Sequence, residues 1–118
     1  MTRLVVKCTW GAEREETLLQ AFTVAATAAA SGIDVSMWLT GEASLFALPG
    51  TEDVQLPHAA PLSQLREAIM AGGTLTICTQ CAQRRDIAAS DLIEGVRIAG
   101  AATFLEESLA PDATVLVY

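Results

Sequence analysis

Pro61-Leu62-Ser63-Gln64-Leu65-Arg66-Glu67-Ala68-Ile69-Met70-Ala71-Gly72-Gly73-Thr74-Leu75-Thr76-Ile77-Cys78 is the stretch that decides the fold. Proline at the first helical position forfeits no hydrogen bond, because the first-turn N–H groups have no partner inside a helix. Leu62, Leu65 and Ile69 then recur at helical spacing, and Gly72-Gly73 stops the helix. From Thr74 to Cys78 the residues become β-branched and apolar, which predicts a strand. A helix fed through a glycine stop into a short apolar strand is half of a parallel crossover.

The same alternation extends in both directions. Leu4 to Cys8 predicts a first strand, and from Glu13 onward Leu18, Phe22, Ala25 or Ala26, and Ala29 mark one face of a helix. Glu13, Glu15 and Glu16 favour the helix dipole in its first turn, and Ser31-Gly32 closes its end. Ile33 to Leu39 is a second strand, followed by the Thr40-Gly41 turn and a short helical segment from Glu42 to Leu48. Pro49 to Ala60 is the longest irregular stretch, of a length that often covers a site. Beyond Cys78 come a short helix near Cys81 to Arg85, a helical turn around Ser90 to Glu94, a strand at Val96 to Ile98, a helix from Ala101 to Leu109 and a last strand from Ala113 to Val117. This rhythm predicts one α/β domain over residues 1–118, a three-layer α/β/α arrangement around a mainly parallel sheet of about five strands.

Composition narrows the function. The 118 residues carry 14 acidic and seven basic side chains, a net charge of −7, so direct nucleic-acid binding is not expected. Neither a signal peptide nor a membrane span is expected: the start lacks the signal pattern, and the greasy segment from Ala21 to Ala30 is short and broken by Thr23 and Thr27. A cytoplasmic location follows as the expectation. Three cysteines, Cys8, Cys78 and Cys81, are an odd set that argues against a disulfide framework and leaves reactive thiols or a metal site open.

In parallel sheets, reactive groups collect beyond the carboxyl ends of the strands, where Cys8, Thr40-Gly41, Cys78 and Gly100 are expected. Cys78 closes a strand at the entrance to a helix, a position that raises a thiol's anionic fraction. Arg84 and Arg85 follow within two turns, and either one folded back would stabilise a thiolate or persulfide anion. Cys8, at the end of the first strand, belongs beside Cys78 if strands one and three are neighbours. His58, the only histidine, is a candidate base in the long loop. Trp10 and Glu13 are expected near the same mouth, while Trp38 is expected in the core or an oligomer contact. Glu106 and Glu107 read as solvated charges. A zinc site recruiting Cys8, Cys78, Cys81 and His58 is an alternative, as is plain burial of the cysteines.

Ile77-Cys78-Thr79-Gln80-Cys81-Ala82-Gln83-Arg84-Arg85-Asp86-Ile87 resembles the DsrE/DsrF-like family of small sulfur-handling proteins. The opening strand and Ala-rich helix, Gly32-Ile33-Asp34-Val35 and Gly95-Val96-Arg97-Ile98-Ala99-Gly100 extend the resemblance along the chain. It implies a persulfide on Cys78, transfer of sulfur from a donor protein to an acceptor thiol, no organic cofactor, and assembly as a homotrimer, hexamer or mixed oligomer. Asp86 departs from the pattern, standing where the family often has glycine. Cys81 opens a second course, in which a Cys78–Cys81 pair senses oxidation.

Overall fold

The computed structural model describes residues 2–118. Five parallel strands form one sheet: β1 (Arg3–Cys8), β2 (Asp34–Leu39), β3 (Thr74–Cys78), β4 (Arg97–Ala99) and β5 (Ala113–Val117). Their spatial order is β4-β3-β2-β1-β5. The helices are α1 (Glu15–Ala30), α2 (Leu62–Gly72), α3 (Thr79–Arg84) and α4 (Ala101–Ser108). The segments after β1, β2 and α3 include short 3-10 turns; the one expected to be helical after Thr40-Gly41 is such a turn, Gly41–Ala47.

The chain steps from β1 to β4 in one direction across the sheet, so right-handed crossovers place α1 and α2 on one face. The step from β4 back to β5 runs the opposite way and places α4 on the other face. The result is a three-layer α/β/α fold. Val6, Cys8, Val35, Met37, Leu39, Leu75 and Ile77 form the sheet side of the main core, against Leu18, Phe22 and Ala25 of α1 and Leu62 and Ile69 of α2. Small residues let these helices approach: a side chain at Gly72 would meet the Ala29 carbonyl at 3.2 Å.

The α4 face is more polar, because alternation along the strands turns Lys7, Ser36, Trp38, Thr76 and Arg97 toward it. Here the expectation for Glu107 is corrected. Glu107 of α4 is buried, accepts hydrogen bonds from Ser36 Oγ (2.6 Å) and Trp38 Nε1 (3.1 Å), and pairs with Arg97 Nη2 at 2.9 Å. Arg97 Nε also donates to Thr76 Oγ1 at 2.8 Å. Burial raises the Glu107 pKa, but these donors and the guanidinium outweigh it and hold the carboxyl below its ordinary value. Trp38 is buried as expected, edge-on to Phe104 with ring centroids 5.3 Å apart.

Asp86 explains how the chain tolerates its departure from glycine. Its φ is 53°, in the left-handed region that aspartate enters at modest cost. Asp86 N–H donates to the Gln83 carbonyl and Ile87 N–H to the Ala82 carbonyl. This is the same paired closure that Gly32, at φ 81°, makes at the end of α1.

Candidate functional site

Cys78 is the last residue of β3 and the N-cap residue of α3, with extended backbone. Its side chain therefore stands where a capping serine oxygen would stand, opposite the N–H groups of the second and third helical residues, Gln80 and Cys81. The thiol makes no side-chain cap bond of ordinary geometry, yet these two amides are oriented to favour its anion. Partial burial raises the Cys78 pKa; the amides of Cys81 and Gln80, the Cys81 side chain and the charge of Lys7 reverse that, and the pKa lies below the ordinary thiol value.

The sulfur opens into a pocket of about 230 Å³ on the α4 face of the sheet. Lys7 and Trp38 reach it from β1 and β2, Thr40 from beyond β2, Gln80 and Cys81 from α3, and Ala101 and Phe104 from α4. The Lys7 ammonium lies 5.3 Å from the Phe104 ring centroid. Lys7 is the one charged residue on the wall among the described residues. The first turn of α4 receives no side-chain cap from Gly100, so its N-terminal amides keep their positive partial charge at the pocket's edge.

Cys81 is buried, and its Sγ accepts the Gly41 N–H at 3.3 Å. Gly41 is required for that contact: its φ is +54°, and an added Cβ would fall 2.7 Å from the Thr9 carbonyl oxygen. The turn after β2 thus fixes the second sulfur beside the first.

Other expected members of the site lie elsewhere. β2 separates β1 from β3, so Cys8 is not beside Cys78; it also faces the α1/α2 side, while Cys78 faces α4. Complete burial and Glu13 push its thiol up to about 11, and it donates to the Trp10 carbonyl at 3.4 Å. His58 is exposed, and its neighbours Pro57 and Ala59 line a groove against α1 with Tyr118, so the long loop does not cover Cys78. The proposed zinc set of Cys8, Cys78, Cys81 and His58 is consequently not assembled, and no cluster of three or more His, Cys, Asp or Glu among the described residues is placed to hold a metal.

Neither arginine folds onto the sulfur. Arg84 is exposed, whereas Arg85 donates from Nη1 to the Cys81 carbonyl at 3.2 Å and lies 3.6 Å from Glu42. Arg85 supports the turn that carries Cys81, and the cation acting on Cys78 is Lys7. Trp10 and Glu13 do not line the pocket. Lys7 escaped the sequence reading because it comes from a strand two positions away; its place on the face opposite Cys8 was the available signal.

The DsrE/DsrF-like family model matches residues 5–116, nearly the whole chain. The chain belongs to the DsrE/DsrF-like family. That membership implies a role related to sulfur relay. The fold of this DsrE/DsrF-like protein is similar to that of the ychN protein from E. coli, with a TM-score of 0.84, 22% identity and full coverage of both chains. A protein of unknown function from Methanobacterium thermoautotrophicum matches with a TM-score of 0.75 and 12% identity, again over both whole chains. A third, of unknown function from Bacteroides thetaiotaomicron, has a TM-score of 0.65 and 15% identity, covering 98% of this chain and 94% of the other. A search of curated proteins finds no match. No helix among the described residues is long and apolar enough to cross a membrane.

Proposed function

We propose that this protein carries sulfur as a persulfide on Cys78. The observation that carries the reading is the placement of Cys78: a partly exposed thiol at a strand end, facing two helix amides and a lysine charge, in an open pocket. Each of these favours a thiolate, the species that attacks a persulfide sulfur, and favours the anionic persulfide that results. The Cys78 thiolate takes the outer sulfur of a donor persulfide as the donor thiolate departs. An acceptor thiolate then removes that sulfur and regenerates Cys78. Loading with labelled persulfide and chasing with an acceptor thiol tests it: label must leave Cys78 and appear on the acceptor, and label that stays fixed counts against a carrier.

A second reading is supported by the Cys78–Cys81 contact. Oxidation of both thiols by peroxide yields a disulfide and two water molecules' worth of reduced oxygen per peroxide, making the pair a redox sensor. Counting free thiols before and after mild peroxide tests it; an unchanged count removes this reading.

We also propose self-association, in keeping with the trimer or hexamer expected from the resemblance. Leu105 of α4, Leu109 just beyond its end and Val117 of β5 are exposed apolar side chains, 56%, 73% and 63% accessible, on or beside the α4 face of the sheet. Symmetric packing would remove them from water.

A further inference from the structure

We propose that the Cys78 pocket takes its sulfur from a small anionic persulfide, one bearing a carboxylate or sulfonate that Lys7 binds. The inference rests on the persulfide-carrier reading and adds a substrate class to it. In a chain with twice as many acidic as basic residues, the charged side chain on this wall is a lysine. Its stem comes from β1 while the reacting sulfur comes from β3, so cation and nucleophile enter one cavity from separated strands. Trp38 and Phe104 give that cavity apolar surface, which lowers the local dielectric and strengthens an ion contact.

The cavity volume of about 230 Å³ equals that of about eight liquid waters. That admits a small donor of about eight heavy atoms. A donor R–S–SH with its anionic group on Lys7 presents its outer sulfur to Cys78. The bond between Cys78 Sγ and the outer sulfur forms as the donor's S–S bond breaks, the electron pair leaves with the R–S thiolate, and the proton stays with the transferred sulfur. No external oxidant or reductant enters.

Lys7 also lowers the Cys78 pKa, so the experiment must separate anion binding from thiolate formation. Rates of Cys78 alkylation by iodoacetate and iodoacetamide, read by peptide mass, supply that separation. A change in thiolate fraction alters both rates equally, whereas loss of an anion site slows iodoacetate alone. Lys7→Gln should lower the iodoacetate-to-iodoacetamide rate ratio about 3- to 10-fold, and Lys7→Arg should retain it. In parallel, the persulfide of thioglycolate should load Cys78 faster than the neutral persulfide of 2-mercaptoethanol, with the preference lost in Lys7→Gln.

An unchanged alkylation ratio in a folded Lys7→Gln protein overturns the proposal. Equal loading by both persulfides also overturns it, yet leaves the carrier reading intact. Loading by neither defeats the carrier reading itself. Circular dichroism of Lys7→Gln, with Lys7→Arg as the charge-retaining control, establishes folding.

Discussion

Lys7 of β1 and Cys78 of β3 face one pocket from the same side of the sheet, with Trp38 of β2 between them. The relationship joins strand alternation to thiol chemistry. Removing the Lys7 charge must raise the Cys78 pKa, because the cation favours the anion. The midpoint of pH-dependent Cys78 alkylation should lie below that of an ordinary thiol in the wild type and move upward in Lys7→Met. A midpoint unmoved by that change would remove Lys7 from the account.

The N-cap position of Cys78 separates folding from chemistry. Serine caps helices well, so Cys78→Ser should keep thermal stability within about 1 kcal/mol of wild type or raise it. Sulfur acceptance should vanish in the same protein. Thermal denaturation checks the first part and peptide mass the second.

Glu107 gives a pH prediction. Its pKa is depressed in the folded state, so its stabilising contribution is complete above the unfolded carboxyl value, about 4.3, and is lost as pH falls through the lower folded value. Glu107→Gln should flatten this acid-side loss. Glu107→Ala should cost about 2–4 kcal/mol at neutral pH by stripping partners from Ser36, Trp38 and Arg97. Urea denaturation across the acid range measures both.

Asp86 carries a left-handed backbone at the end of α3. Asp86→Gly should relieve that cost and stabilise the protein by about 0.5–1 kcal/mol, less whatever glycine adds to the freedom of the unfolded chain. An increase in melting temperature is the expected readout.

The fold was legible because its signals are local: Gly72-Gly73 ends α2, Ser31-Gly32 ends α1, and Ala113–Val117 is a strand to the residue. Cys78 was legible for the same reason, since strand end and helix start are adjacent in sequence. Its surroundings were not. Strand order put β2 between Cys8 and Cys78, face alternation brought in Lys7, and the return crossover of α4 buried Glu107. Asp53 shows the same limit, accepting from Ser63 N–H and Oγ at the start of α2 across ten residues of chain. Such pairings depend on which elements meet, information that spacing along one chain does not carry.

The most direct measurement is peptide-resolved mass spectrometry of wild type, Cys81→Ser and Cys78→Ser after exposure to a persulfide donor. The account predicts one added sulfur on the Cys78 peptide in the first two proteins and none on that peptide in Cys78→Ser. Sulfur acquired by Cys78→Ser at the wild-type yield would contradict it.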